Sequence, residues 1–163
     1  MNSANFRLRA LEQGDWEVVR QIYADGIATG NATFETDVPP ADALDSKWLP
    51  GQRWVAELNG IVIGWASVSP TSQRDCYRGV GETSVYVDAA SAGMGVGSAL
   101  VRHQVAAADA AGLWTLQTSI FPENLASLAI HRAAGFRDVG RRERIAQLDG
   151  VWRDTILLER RAV

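Results

Sequence analysis

Two neighbouring stretches decide how this chain folds: Ser84-Val85-Tyr86-Val87-Asp88 and, shortly after it, Gly93-Met94-Gly95-Val96-Gly97-Ser98-Ala99-Leu100. The first predicts a strand, and the second a glycine-rich loop that opens an alanine- and valine-rich helix. The first turn of a helix has unpaired backbone N–H groups at the positive end of the helix dipole. Glycines let an anion approach those groups without obstruction by Cβ atoms. The pair of stretches therefore predicts a site for a phosphate-bearing ligand.

Three kinds of phosphate loop are compatible with a strand, a glycine loop and a helix. In a P-loop the last glycine is followed by a lysine and then by a Ser or Thr. Here Gly97 is followed by Ser98-Ala99, so the lysine is missing. A dinucleotide fingerprint requires a third glycine where Leu100 stands, and an acidic residue on the next strand, which Leu113–Leu116 lacks. The third kind is a coenzyme A pyrophosphate loop, Arg/Gln-x-x-Gly-x-Gly. Ala92 replaces its Arg or Gln, which leaves the backbone amides to form the cradle.

The remaining periodicity alternates between helices and strands without repeats or linkers. Asn59-Gly60 between two apolar runs predicts a tight hairpin, and Gly81 is expected to bend the strand that follows it. Helices are predicted over 16–27, 40–49, 95–111 and 122–134, and strands over 6–10, 53–58, 61–69, 82–87, 113–120, 136–148 and 152–159. The chain is therefore expected to be an α/β (α+β) protein, a single domain over residues 1–163. Helices would flank a mixed, mostly antiparallel central sheet of about six to seven strands.

Composition excludes several classes of function. A net charge of −3 argues against general nucleic-acid binding, and no apolar run approaches the roughly 20 residues that span a bilayer. The amino-terminal MNSANFRLRA lacks the apolar segment of a secretory signal. One cysteine and two histidines make an internal disulfide impossible and a metal site unexpected. We expect a cytoplasmic protein with no metal and no nucleic-acid or membrane partner.

Four motifs in order resemble one known family over nearly the whole chain. They are Thr33-Phe34-Glu35; Tyr77-Arg78 with Glu82-Thr83-Ser84-Val85-Tyr86-Val87; Pro122-Glu123-Asn124 with Ser127, His131 and Gly135-Phe136; and Gly150-Val151-Trp152-Arg153-Asp154. On these motifs the chain is identified as a member of the Gcn5-related N-acetyltransferase (GNAT) superfamily, in its phosphinothricin acetyltransferase-like group. The carboxyl-terminal motif, with Leu157-Leu158-Glu159-Arg160-Arg161, resembles the arsinothricin-resistance branch of that group.

The resemblance implies acetyl-coenzyme A (acetyl-CoA) as co-substrate and assigns residues to it. The strand Val85, Tyr86, Val87 would pair its backbone with the pantetheine arm, as an added strand does. The loop Gly93, Met94, Gly95, Val96, Gly97, Ser98 would bind the pyrophosphate. Asn124, Ser127 and His131 share one helix face, because they are spaced i, i+3 and i+7. That face would contact the pantetheine amides and the thioester sulfur through Asn124 and Ser127.

The same resemblance assigns the acid–base chemistry. Transfer of an acetyl group to an amine requires that the ammonium lose a proton and that the departing thiolate be stabilised. Glu82 would be the base, acting through a bridging water. His131 stands where the superfamily often has a proton donor, and two interpretations remain open for it: a packed histidine or a catalytic acid.

Substrate contacts are expected from two loops. Phe34 and Glu35 would form one wall, with Glu35 near the substrate ammonium. Arg74, Tyr77 and Arg78 precede the catalytic strand, and a guanidinium binds a carboxylate, phosphinate or arsinate in a bidentate manner. The tryptophans are expected to lie in the core; those considered are Trp16, Trp48, Trp65 and Trp114.

Taken together, the sequence predicts an N-acetyltransferase that works by direct transfer and acts on a small amino acid-like amine. The resemblance further implies an acceptor of the phosphinothricin, methionine sulfoximine or arsinothricin type, and a homodimer. Two alternatives stay open. One is acetylation of another amine, such as a protein amino terminus or a polyamine. The other is a coenzyme A-binding regulatory module without catalysis.

Overall fold

The computed structural model describes residues 5–163, so the first four residues of the amino-terminal segment lie outside it. Seven strands form one sheet in the order β1-β2-β3-β4-β5-β7-β6. The strands are β1 (Arg7–Ala10), β2 (Arg53–Leu58), β3 (Ile61–Pro70), β4 (Val80–Val87), β5 (Thr115–Ile120), β6 (Arg137–Leu148) and β7 (Val151–Arg161). The α-helices are α1 (Trp16–Ala28), α2 (Ala41–Lys47), α3 (Val96–Ala110) and α4 (Leu125–Ala133).

Every neighbouring pair of strands is antiparallel except β4 and β5, which are parallel. This confirms the mixed, mostly antiparallel sheet that the sequence predicts. The Asn59-Gly60 hairpin is also present between β2 and β3. Its two residues have φ of 51° and 81°, the left-handed pair that a two-residue turn requires if the flanking strands are to keep their twist.

The core lies on both faces of the sheet. On one face, α1 and α2 pack a cluster of large side chains against β2 and β3; its members include Trp16, Val19, Ile22, Leu44, Trp48, Val55 and Trp65. On the other face, α3 and α4 cover clusters that include Ala66, Val68, Val96, Leu100, Val101, Leu116, Leu128 and Leu158. Each layer removes apolar surface from water, which is the main free-energy gain of folding.

Three of the four tryptophans are buried as expected, and the prediction is wrong for Trp114. Its side chain is 40% exposed. It lies flat against Gly79, where an added Cβ would come within 2.1 Å of the indole. The Arg78 guanidinium lies 5.4 Å from the ring centroid on this surface. A tryptophan at the beginning of a strand can thus pack on backbone at the surface without entering the core.

Two predicted helix boundaries are wrong by two or three residues. The helix α2 ends at Lys47, because Trp48 adopts an extended conformation with ψ of 137°. The helix α4 begins at Leu125 instead of Pro122. The Asn124 side chain accepts a hydrogen bond from the backbone N–H of Ser127 at 3.3 Å, and such a cap fixes where a helix begins.

Gly81 introduces no bulge into its strand, where the sequence led us to expect a local bend. The residue pairs with Pro70 of β3 and with Leu116 of β5, and neither ladder shifts its register there. The absence of a Cβ instead makes room for Val68, since an added Cβ would lie 2.3 Å from Val68 Cγ1. Gly81 is therefore a packing requirement of the central sheet. Within residues 5–163, no helix is long and apolar enough to cross a membrane.

Replacing Gly81 with alanine is expected to lower the free energy of unfolding by about 1–3 kcal/mol, because overpacking forces the neighbouring core to shift. Gly140→Ala is the matched control: Gly140 also lies in a strand, and an added Cβ meets no described atom within 4 Å. It should change stability by no more than about 0.5 kcal/mol. Urea unfolding monitored by tryptophan fluorescence measures both variants. Equal stability of the two would show that Val68 does not constrain position 81.

Candidate active site

The site begins where β4 and β5 part. The two strands pair only from Val80 to Glu82, opposite Thr115–Gln117. Beyond that point β4 continues along β3 while β5 continues along β7. At the fork, Thr118 Oγ1 donates to the carbonyl of Thr83 at 3.4 Å. Within the described residues, the backbone of Ser84–Val87 therefore has no strand partner on the β5 side.

A cavity of about 240 Å³ lies along this opening. It brings together side chains that are far apart in sequence. Those predicted from the sequence are Phe34, Glu35, Glu82, Val85, Tyr86, Asn124, Ser127 and His131, and they are joined by Tyr23, Thr33, Lys47, Thr118, Phe121 and Thr155 among others. The charged side chains of the lining are Glu35, Glu82 and Lys47, all exposed.

The glycine loop adjoins the far end of this opening and does not line the cavity. Gly93 and Gly95 have φ of 80° and 82°, a conformation that side chains disfavour, and Gly95 immediately precedes α3. Gly97 packs against α4 and the end of β4, since an added Cβ would lie 3.2 Å from Ile130 Cδ1 and 3.5 Å from Val87 Cγ2. The loop thus presents the first turn of α3 beside the end of β4.

One cation near this loop was missed from the sequence. Arg102 Nη1 donates to Ser98 Oγ at 2.6 Å, which brings a guanidinium over the first turns of α3. A spacing of four residues on a helix could have indicated the contact. Ala92, at the position where the resemblance leads one to expect Arg or Gln, has no polar side chain to add to it.

His131 is a packed histidine that also lines the cavity. Its side chain is 2% exposed and lies edge-on to Phe136, with ring centroids 5.2 Å apart. Nδ1 lies 2.7 Å from the carbonyl oxygen of Ser127. Because a carbonyl only accepts hydrogen bonds, Nδ1 carries the proton and the neutral ring has its lone pair on Nε2. Nε2 is buried without a partner among the described residues.

Burial lowers the pKa of His131, although the hydrogen bond to Ser127 acts in the opposite direction. An ordinary histidine has a pKa near 6.5, so the imidazole is neutral at neutral pH. In this state Nε2 accepts a hydrogen bond or a proton and has none to donate. The geometry thus favours the packing interpretation of His131 over that of a ready catalytic acid.

Stacked aromatic rings form another wall. The Tyr23 and Tyr86 rings are 5.0 Å apart, and Tyr86 also stacks on Trp65 at 4.7 Å. Burial, with a smaller contribution from the Glu35 carboxylate, raises the pKa of Tyr23 to about 12. Burial likewise raises the pKa of Tyr86. Both phenols therefore stay protonated at neutral pH and can donate hydrogen bonds. From the sequence, Tyr23 was expected only as an apolar core position of the first helix, and its place at the cavity was missed.

The loop that carries Thr33–Glu35 is held from two sides. Arg153 donates to the carbonyl of Gly30 at 2.8 Å and to Asn31 Oδ1 at 3.1 Å. Asn124 Nδ2 donates to the carbonyl of Asn31 at 3.3 Å. The Gly-x-Trp-x-Asp segment of β7 and the amino terminus of α4 thus both position this loop at the cavity.

The structure does not bring Arg74, Tyr77 and Arg78 to the cavity. They lie on a short exposed turn before β4. The Arg74 guanidinium lies 5.5 Å from the Tyr77 ring centroid, and Arg78 pairs with Asp75 at 3.3 Å. None of the three lines the cavity, whose one cation among the described residues is Lys47. Sequence reasoning missed Lys47 altogether.

Known proteins with the same architecture identify the family. The sequence profile of the Acetyltransferase (GNAT) family matches residues 16–136. Over 94% of its length the chain is 32% identical to the phosphinothricin N-acetyltransferase of Alcaligenes faecalis, covering 81% of that protein. Over 85% of its length it is 30% identical to the L-methionine sulfoximine/L-methionine sulfone acetyltransferase of Pseudomonas aeruginosa, covering 84% of it.

A solved structure agrees with these relatives. The phosphinothricin acetyltransferase of Sinorhizobium meliloti in complex with acetyl-CoA superposes with a TM-score of 0.88 at 30% identity, over 96% of this chain and 88% of that one. The fork in the sheet and the loop before α3 thus occur here in the fold of an acetyl-CoA-dependent enzyme. The chain belongs to the GNAT family of acetyltransferases and is an acyltransferase. This confirms the family that the sequence motifs indicated.

We expect His131 to be neutral at pH 7 with its proton on Nδ1, because burial disfavours the charged ring and Ser127 holds the Nδ1 proton. Long-range ¹H–¹⁵N NMR of the two histidines measures this directly, with His131→Gln to assign the signals. Folded His131 should remain neutral at pH 6.5, where an exposed histidine is half protonated. A ring that titrates at or above pH 6.5 would contradict the lowered pKa, and a neutral ring with its proton on Nε2 would contradict the tautomer assignment.

Proposed function

We propose that this acetyltransferase transfers the acetyl group of acetyl-CoA directly to the amine of a small amino acid-like acceptor, of the phosphinothricin or methionine sulfoximine type. The observation that carries the proposal is the fork between β4 and β5, with Glu82 at its apex on the wall of a cavity. The names of the relatives support the acceptor class. No metal ion is required in this proposal.

The chain's own groups fit acetyl-CoA, which when bound supplies an activated acetyl thioester. The free edge of Ser84–Val87 offers backbone donors and acceptors to the amides of the pantetheine arm. At the end of that edge, the glycine loop and the first amides of α3 suit the pyrophosphate, as helix amino termini suit anions generally. Asn124 and Ser127 line the same cavity, where they would contact the arm.

Glu82 is the general base in this proposal. It is the last β4 residue paired with β5, and its exposed carboxylate lies on the cavity lining. There it can take a proton from the acceptor ammonium through a bridging water. The free amine is then held beside the thioester, and such positioning supplies a large part of the rate. His131 borders the cavity as a neutral, packed ring, and its buried Nε2 has no proton to donate.

The acceptor would lie between the loop of Phe34 and Glu35 and the aromatic wall of Tyr23. Glu35 faces the same cavity as Glu82, so two carboxylates attract an ammonium group. Roles for Arg74, Tyr77 and Arg78 in binding the acceptor stay a prediction, as does the cytoplasmic location.

A homodimer is also part of the proposal. Large apolar side chains are exposed on the β6–β7 hairpin at the edge of the sheet: Val139, Ile145, Val151 and Trp152 are each 45–60% exposed. An exposed edge strand with apolar side chains is a common interface between subunits. A second copy would cover this hairpin.

Replacing Glu82 with glutamine is expected to lower kcat/KM for acetylation of L-methionine sulfoximine by about 10²–10³-fold, because the amide cannot accept the ammonium proton. Release of free coenzyme A thiol measures the rate, and calorimetry should show unchanged acetyl-CoA affinity. Glu17→Gln, on the exposed first turn of α1 and outside the cavity lining, is the matched control. Activity of Glu82→Gln within twofold of wild type would remove Glu82 from the role of base.

Replacing Ala92 with arginine is expected to tighten acetyl-CoA binding by about tenfold, because a guanidinium adds charge-assisted hydrogen bonds to a phosphate. The gain should shrink as salt is raised. Ala90→Arg, two residues earlier on the same turn, controls for added surface charge. Titration calorimetry compares the dissociation constants. If both variants bind equally, position 92 does not face the pyrophosphate.

A further inference from the structure

Lys47 occupies a fixed place at the cavity. It is the last residue of α2, and the next residue, Trp48, is 4% exposed. The Trp48 ring packs against Trp16 at 5.5 Å and against Trp65 at 4.8 Å. Because Trp65 in turn stacks on Tyr86 of the lining, the end of α2 is anchored to the same aromatic wall. The flexible stem of Lys47 starts from a rigid base.

The Lys47 ammonium has no charged or hydrogen-bonding partner in the described structure. Among residues 5–163, Lys47 forms no ion pair and no hydrogen bond through its side chain. It is also the only lysine in the chain: of the sixteen lysine and arginine residues, fifteen are arginines. A lysine ammonium is a compact charge with three rotatable donors on a flexible four-carbon stem, so it can adjust to a small anion such as a carboxylate.

The charges around the cavity match an amino acid in both signs. Glu35 and Glu82 attract the ammonium group, and Lys47 is the cation of the lining that can receive an anion. A carboxylate that leaves water needs such a partner, because an unpaired charge is costly to desolvate. Arg74 and Arg78, which the sequence indicated for this task, are engaged on the surface outside the cavity.

We propose that Lys47 binds the α-carboxylate of the acceptor and thereby selects amino acids over simple amines. The inference rests on the proposed function, and it names the residue that determines substrate class. Lys47 is a binding residue: it attracts the carboxylate while Glu82 removes the proton from the neighbouring amine. No covalent step involves it.

Kinetics with two acceptors tests the proposal. L-methionine sulfone carries the α-carboxylate, and its carboxamide carries the same amine and side chain without the charge. Lys47→Met should raise KM for the sulfone by roughly 10- to 100-fold, the value of a hydrogen bond to a charged group. KM for the carboxamide should change far less, and Lys47→Arg should restore most of the affinity for the sulfone.

The comparison variants separate this role from others. Arg7→Met removes a cation from β1, at the opposite edge of the sheet from the proposed dimer hairpin, and should leave KM for the sulfone unchanged. If Arg74→Met or Arg78→Met raises that KM while Lys47→Met does not, the carboxylate binds on the turn before β4 and the proposal is overturned. An equal rise of KM for sulfone and carboxamide in Lys47→Met would also overturn it.

A binding measurement keeps the two proposals distinguishable. Reductive methylation with ¹³C-formaldehyde labels the chain's single lysine and the amino-terminal amine while it preserves their charges. Lys47→Arg assigns the lysine signal. The sulfone should shift this signal on titration in the presence of coenzyme A, and the carboxamide should not. Turnover without a shift overturns the Lys47 proposal alone. A shift without turnover supports Lys47 and overturns the proposed acetyl transfer.

Discussion

The limited pairing of β4 with β5 is the constraint on which the site depends. Three residue pairs hold the strands together up to Glu82, and each strand then follows a different neighbour. The separation leaves an edge of backbone hydrogen-bonding groups beside a cavity, and it places the last paired residue at the point of the fork. The helices α3 and α4, packed on the same face of the sheet, put the glycine loop at one end of the opening and His131 at its side.

Around this fork, side chains from distant segments supply a consistent set of charges. Glu35 and Glu82 attract an ammonium group, Lys47 complements an anion, and the buried His131 stays neutral. The supports are independent of one another: Arg153 and Asn124 hold the loop of Phe34, while the stack from Trp16 to Tyr86 holds the end of α2. This arrangement suits the small zwitterion proposed as acceptor, and water can reach the exposed Glu82 carboxylate that is proposed as base.

Local sequence signals predicted the parts of this structure that depend on local physics. Asn59-Gly60 specified its hairpin through backbone conformation, and Gly93-x-Gly95 specified the loop before α3 for the same reason. Features that depend on tertiary contacts escaped the sequence. Trp114 was expected in the core because it is large and hydrophobic. The sequence does not reveal that it packs on Gly79 at the surface. Lys47 was missed because nothing near it in sequence shows that α2 ends at the cavity. Arg74 and Arg78 are cations of the kind that an anionic acceptor requires. The turn that carries them does not reach the cavity, and this could not be predicted from the sequence.

A crystal structure with coenzyme A and L-methionine sulfone bound together tests the central claim most directly. The account predicts the pantetheine arm along Ser84–Val87, the sulfur beside the fork, and the acceptor amine within one bridging water of the Glu82 carboxylate. The α-carboxylate should lie within hydrogen-bond distance of Lys47 Nζ, about 3 Å. An acceptor bound outside the opening, or one whose amine lies remote from Glu82, would contradict the account.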